Sequence, residues 1–298
     1  MRRKRIAWVV GGIATLALVW FWPARRNYYA RLGEVERRLN VPYVAGAADP
    51  KRQLDLYLPR NAAAPFPIVV FVHGGYWSPL DRRWLEPLIG TFGNVGVAFA
   101  RQGVAAAVIG YRQYPAIQHG DDSLDDIASA VRFVHDSCPA WGCGPLFVFG
   151  HSAGGHLVSL LALDPRILAR HGVEPDSVAG FVSFDGIFDL EASLPAFSAE
   201  QAAIMRRLFG PDSAALAAHS TVTYARARHP RLLVMDTTGD AAVCRDAFRQ
   251  LKKRCGELGS PARFVELVGL GHNDAVVRMG MDDDPVMPSL LAFIRGRD

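Results

Sequence analysis

A serine hydroxyl becomes a nucleophile only when a base removes its proton and a third group orients that base. Ser152 lies in Gly150-His151-Ser152-Ala153-Gly154, directly after the apolar run Phe147-Val148-Phe149 and directly before a helical stretch. A G-x-S-x-G segment between a strand and a helix puts the serine on a tight turn that aims its hydroxyl out of the sheet. Gly150 and Gly154 leave room for the strained backbone such a turn needs. The helix start adds free N–H groups and a positive partial charge beside the hydroxyl.

Cleavage of an ester or amide passes through an oxyanion, which preorganised N–H donors must meet. The segment His73-Gly74-Gly75-Tyr76-Trp77 follows the apolar run Ile68 to Val72 and can supply them. The expected donors are the backbone N–H groups of Gly75, Tyr76 and Ala153, with Gly74 shaping the turn and His73 bracing the loop by a hydrogen bond. Of the nine histidines, His272 in Gly269-Leu270-Gly271-His272-Asn273-Asp274 follows the last apolar strand in a Gly-rich loop, and is the expected base. Asp240, reached from the strand Leu232 to Asp236 through Thr237-Thr238-Gly239, is the expected acid, ahead of Asp236, Asp189 and Asp274. Trp77 and Tyr111 stand at strand ends, where an aromatic lines a substrate pocket about as often as it fills the core.

These side chains need a scaffold that brings strand ends together. Short apolar runs fall at Leu54 to Leu58, Ile68 to Val72, Val104 to Gly110, Leu146 to Phe149, Val178 to Phe184, Leu232 to Asp236 and Arg263 to Val268. Continuous rather than alternating hydrophobicity marks strands covered on both faces. Helical stretches separate them: Leu85 to Arg101, Ser123 to Ser137, Ala153 to Leu163, Ala199 to Phe209, Ala241 to Leu258 and Val286 to Arg295. Alternation of this kind specifies an α/β fold with a mostly parallel central sheet and helices on both faces. The catalytic domain is expected over residues 44–298, with a small cap within 186–224. The charged stretch 27–43, including Asn27 to Asn40, reads as a helical linker.

The whole chain of 298 residues carries 33 Lys+Arg against 29 Asp+Glu, a net charge of +4. Seven of the basic residues lie within residues 1–31, which hold no acidic residue, so the remaining 267 sum to −3. A nucleic-acid binder needs a basic stripe on its folded surface, and this body has none. The basic residues instead flank Ile6 to Ala24, nineteen uncharged residues that include Trp8, Trp20, Phe21 and Trp22. That length spans a bilayer as a helix, and the bulky residues before Pro23 do not resemble a small-x-small cleavage site. Residues 1–26 are therefore expected to anchor the protein in a membrane with its catalytic body on the non-cytoplasmic side. A cleaved signal and secretion is the alternative.

Cys138 and Cys143 are close enough to bridge in an oxidising compartment and equally can be free thiols, whereas Cys244 and Cys255 are too far apart along one helix. The acidic cluster Asp121, Asp122, Asp125 and Asp126 reads as compensation of a helix dipole. No phosphate-binding, zinc-binding or dinucleotide-binding motif occurs, so neither a metal nor a cofactor is expected. The oligomeric state is open.

Taken together, His73-Gly74-Gly75-Tyr76-Trp77, Tyr111-Arg112, Gly150 to Leu157, Gly239-Asp240 and Gly271 to Asp274 resemble the α/β-hydrolase superfamily. Within it they are similar to the esterase/lipase branch of carboxylesterases, feruloyl-esterase-like enzymes and kynurenine formamidases. The resemblance implies a small-molecule ester substrate cleaved through an acyl-enzyme by Ser152, His272 and Asp240. The Tyr-Trp after His-Gly-Gly is similar to the formamidase pattern and implies a formamide as the other substrate class. Formamidases of that kind are typically soluble and cytoplasmic, so an anchored chain favours an ester. A catalytically silent hydrolase fold that only binds is the reading from another class.

Overall fold

A computed structural model describes residues 22–46 and 48–297. Its centre is an eight-stranded sheet: β1 (Val35–Pro42), β2 (Gln53–Pro59), β3 (Phe66–Val72), β4 (Ala105–Ile109), β5 (Cys143–His151), β6 (Gly180–Phe184), β7 (Leu232–Thr237) and β8 (Arg263–Leu267). The strand order is β1-β2-β4-β3-β5-β6-β7-β8. β2 is antiparallel to both β1 and β4, and every pairing from β4 onward is parallel.

The apolar runs are continuous because both faces are covered. In β3, Ile68, Val70 and Val72 enter one core and Val69 and Phe71 the other. The first core sits under the helices Gly120–Trp141, Ala153–Leu163 and Ala242–Glu257. The second lies beneath Gly93–Arg101 and Met287–Ile294. Parallel pairing carries the C-terminal ends of β3, β5, β7 and β8 to one edge, where the loops bearing Gly74, Ser152, Asp240 and His272 leave the sheet.

Three expectations need correction. The stretch 27–43 is not a helical linker: a helix over residues 22–31 is followed by β1, which joins the sheet through β2. As an edge strand it is solvated along most of its length, so it lacks the apolar run that marks its neighbours. The helix expected from Leu85 to Arg101 is broken into Glu86–Ile89 and Gly93–Arg101. Tyr28 fills the break; a Cβ at Gly90 would lie 2.3 Å from its ring. Asp126 does not serve a helix dipole. It is buried and binds the guanidinium groups of Arg52 and Arg112 at 2.8 to 3.0 Å.

The region 186–224 carries the helices Leu190–Ser193, Ala199–Phe209, Ser213–Ala218 and Thr221–Tyr224 between β6 and β7. The span expected from Ile6 to Ala24 lies outside the described residues up to position 21. No helix among the described residues is long and apolar enough to cross a membrane.

Candidate active site

Ser152 stands between β5 and the helix Ala153–Leu163 with φ 58° and ψ −122°, a left-sided backbone that a side chain rarely adopts. Its N–H donates to the Phe184 carbonyl at 2.8 Å, tying the turn to the neighbouring strand. The flanking glycines are required by contact: a Cβ at Gly150 would lie 2.2 Å from the Gly154 carbonyl oxygen, and one at Gly154 would lie 2.2 Å from that of Val72. The turn is closed so tightly that only hydrogen fits at either place.

The hydroxyl of Ser152 lies 2.8 Å from His272 Nε2, and His272 Nδ1 lies 2.8 Å from Asp240 Oδ2. The second oxygen of Asp240 accepts the Ala241 N–H at 2.5 Å, and the Cys244 thiol also bonds this carboxyl. The His272 imidazole, with these other donors, holds Asp240 below the usual carboxylate range despite its burial. Cys244, buried beside the carboxylates, has its thiol pushed far up and so remains protonated as a donor to Asp240. The three expected residues therefore form one hydrogen-bonded chain from the Asp240 carboxyl to the Ser152 hydroxyl.

Beside it, Gly74 passes in contact with Ser152: a Cβ there would lie 2.8 Å from Ser152 Cβ. Gly75 has φ 119°, Tyr76 φ 55° and Trp77 φ 54°, so three consecutive residues hold unusual backbone angles. Strain of this kind persists where surrounding contacts over-determine it. The backbone N–H groups of Gly75, Tyr76 and Ala153 donate to no protein acceptor among the described residues. His73 is buried and its Nδ1–H donates to the Gly74 carbonyl at 2.8 Å, the bracing bond expected of it. Burial lowers it to about 4, so the ring is neutral.

Two residues that mattered escaped the sequence reading. His151 sends Nε2–H to the backbone carbonyl of His272 at 2.9 Å and thereby ties down the loop that carries His272. Burial and the adjacent His272 lower it to about 3, so it is a permanent neutral donor. Asp185, with φ 51°, is buried at the end of β6 and accepts the Thr237 N–H at 2.9 Å. Burial and the neighbouring Asp240 and Asp236 push Asp185 well up, while burial and Asp240 raise Asp236 to about 6. The signal for Asp185 was the same strand-end placement that picked out Asp240.

Tyr111 needs correction as a pocket residue. It is wholly buried behind His73, with its hydroxyl on the His73 carbonyl at 2.7 Å, and it borders neither cavity at Ser152. Trp77 touches one cavity but is 2% exposed and packs edge-on against His156 and Phe209. Cys138 and Cys143 are free, buried thiols hydrogen-bonded to one another.

Two cavities meet at Ser152. One of about 240 Å³ lies among Leu80, Trp84, Phe92, Val276 and Val277, and the other, about 210 Å³, among Ile187, Phe197, Val243 and Cys244. Neither has a Lys, an Arg or any acidic residue other than Asp240 in its wall. A larger cavity of about 600 Å³ borders Arg31, Asp282 and Arg295 and shares no lining residue with the two cavities at Ser152. Close-set donor atoms occur in His151–Asp185–His272, Asp240–Cys244–His272 and Asp185–Asp236–Asp240. A cation in either of the first two would compete for a His272 ring whose nitrogens already face Ser152 and Asp240.

The sequence profile described as BD-FAE matches residues 54–254, more than half of the chain. A probable isoprenylcysteine alpha-carbonyl methylesterase of Arabidopsis thaliana is 24% identical over 84% of this chain and 54% of its own length. A kynurenine formamidase of Danio rerio is 30% identical over 53% of this chain and 49% of its own. The chain thus spans about half the length of the curated relatives it matches. Among solved structures, an inhibited esterase B from Lactobacillus rhamnosis superposes with a TM-score of 0.73 at 21% identity, covering 96% of this chain and 97% of that one. At that identity the likeness is one of fold.

Proposed function

The chain belongs to the BD-FAE family, and from that premise we propose that it hydrolyses carboxylic esters through an acyl-enzyme on Ser152. The observation that carries the proposal is the unbroken chain Asp240–His272–Ser152, with 2.8 Å at each link. His272 Nε2 takes the hydroxyl proton as Ser152 Oγ attacks the ester carbonyl. Asp240 holds the imidazole with its proton on Nδ1 and stabilises the imidazolium that forms. The free N–H groups of Gly75, Tyr76 and Ala153 receive the oxyanion. Collapse expels the alcohol, which takes the proton from His272. Water, deprotonated by the same nitrogen, then releases the acid.

The substrate is a neutral ester with an apolar group on each side of the carbonyl. Two cavities whose only charged wall residue is Asp240 flank Ser152, and each is large enough for a short alkyl chain or a ring. The kynurenine formamidase relative favours N-formylkynurenine as a second substrate. That molecule carries an ammonium and a carboxylate, however, and the cavity walls offer no cation for the carboxylate. Purified protein should label with a fluorophosphonate at Ser152 and turn over aryl esters faster than N-formylkynurenine, with both labelling and turnover lost in Ser152→Ala. Esterase turnover that survives Ser152→Ala would overturn the mechanism, and a preference for the formamide would overturn the substrate class. Absence of labelling would leave only a binding module.

A further inference from the structure

Large apolar side chains exposed to solvent are few among the described residues, and four of them occupy one corner. Trp22 and Tyr29, on the helix over residues 22–31, are 56% and 39% exposed. Trp84 and Leu88, in and just before the short helix Glu86–Ile89, are 41% and 60% exposed. The two segments are one surface: the Tyr29 hydroxyl donates to the Glu86 carbonyl at 3.0 Å, and buried Tyr28 donates to the Glu86 carboxylate at 2.7 Å. Arg25 lies 4.8 Å over the Tyr29 ring and 5.9 Å over that of Trp22. Arg26 beside it is exposed and pairs with no carboxylate among the described residues.

Trp and Tyr with interspersed Arg are the side chains that settle at the boundary between hydrocarbon and headgroups, where rings bury and guanidinium groups meet phosphate. The chain outside the described residues ends at this corner, and positions 6–24, which run into it, carry no charge. The corner is also a doorway. Trp84 and Tyr76, another exposed aromatic, both border the apolar cavity of about 240 Å³ that reaches Ser152.

We propose that Trp22, Tyr29, Trp84 and Leu88 seat this corner in the headgroup layer of a phospholipid leaflet, so that the Trp84-bordered cavity opens toward lipid and takes an apolar ester from the membrane. The orientation stands on the surface alone; the route of entry rests on the ester-hydrolase reading. A second copy of the chain is the competing occupant, and it has no use for Arg25 and Arg26.

The test uses the full chain. All four native cysteines are buried, so Leu88→Cys provides a single exposed thiol for an environment-sensitive dye. On vesicles of phosphatidylcholine with phosphatidylglycerol the dye should shift to the blue and be quenched by brominated acyl chains. The same dye at Lys253→Cys, on the helix Ala242–Glu257 along the far end of the sheet, should do neither. No shift at position 88, equal quenching at both positions, or a shift that needs only protein concentration would overturn the orientation.

Kinetically, Leu88→Glu with Arg25→Glu should hydrolyse a soluble short-chain ester within about twofold of the unaltered chain and lose about tenfold on a long-chain ester embedded in the vesicles. Equal loss on both esters, or no loss on either, would overturn the route. Should the unaltered chain hydrolyse neither ester, the function fails while the dye still decides the orientation.

Discussion

Asp240→Asn removes one charge and almost no volume, and the surroundings dictate how the new amide must lie. One Asp240 oxygen accepts the Ala241 N–H at 2.5 Å and the other accepts His272 Nδ1–H at 2.8 Å. An asparagine has only one oxygen, and the Ala241 N–H can only donate. The amide oxygen therefore turns to Ala241, and its NH₂ faces His272 Nδ1, which must then accept. The ring proton moves to Nε2 and points at Ser152 Oγ, 2.8 Å away, so the base is occupied before it can act. An analogous substitution in a serine protease costs about 10⁴ in kcat. For this protein a loss of about 10³ to 10⁴ in kcat/KM is expected, or about 4 to 5.5 kcal/mol.

Asp240→Ala imposes no tautomer and should lose less than Asp240→Asn, although it discards the same charge. The assay is initial-rate hydrolysis of a p-nitrophenyl ester near neutral pH, with unfolding curves to confirm that both variants are folded. Imidazole ¹⁵N shifts would report the tautomer directly. If Asp240→Asn keeps more than about a tenth of kcat/KM, Asp240 is not the orienting acid. If Asp240→Ala loses more than Asp240→Asn, the tautomer argument fails even though the acid assignment survives.

Gly74→Ala puts a Cβ 2.8 Å from Ser152 Cβ and 3.0 Å from the His151 carbonyl oxygen, so the nucleophile must shift. Displacements of that size cost about 100-fold in kcat, and active-site titration should show the serine still present but slow. His151→Leu removes the donor to the His272 carbonyl and should lower kcat about tenfold at little cost in KM. Because His151 titrates near 3, the same variant should leave the pH profile above about 5 unmoved; a shifted limb would contradict its neutral state.

Asp236 tests the buried carboxylates. Its pKa is raised to about 6 from an ordinary 3.8, so between those values the folded state holds a proton that the unfolded chain has lost. Stability is accordingly lost as pH rises through about 6. Asp236→Asn should therefore raise Tm at pH 8 and leave it nearly unchanged at pH 4, as scanning calorimetry would show.

Much of this protein was readable because parallel sheets leave a strong trace. All seven apolar runs became strands, and among the described residues the only strand missed was β1, whose exposed edge position deprives it of an apolar run. Ser152 was legible because glycines on both sides of a serine, between a strand and a helix, record a packing constraint. The 2.2 Å separations that a Cβ would make at Gly150 and Gly154 are that constraint in space. Tyr111 was ambiguous for the opposite reason. Its place at a strand end is the same whether the ring faces a substrate or, as here, stacks behind His73 at 4.8 Å.

What the linear chain determined was the set of reactive types and their order along it: a serine on a tight turn, an acid and then a histidine after successive strands. Each is a local matter of backbone sterics and strand-end position, so neighbouring residues suffice to encode it. What only the tertiary structure decided was which of several strand-end groups meet. Ser152 and His272 are 120 residues apart, yet their atoms lie 2.8 Å from each other. Asp185 and Asp240 occupy similar strand-end positions, but the first is pushed to a higher proton affinity by burial and neighbouring carboxylates while the second is held to a lower one by His272. The reason is that proton affinity depends on burial and on neighbouring charge, and both are supplied by residues brought in from elsewhere in the fold.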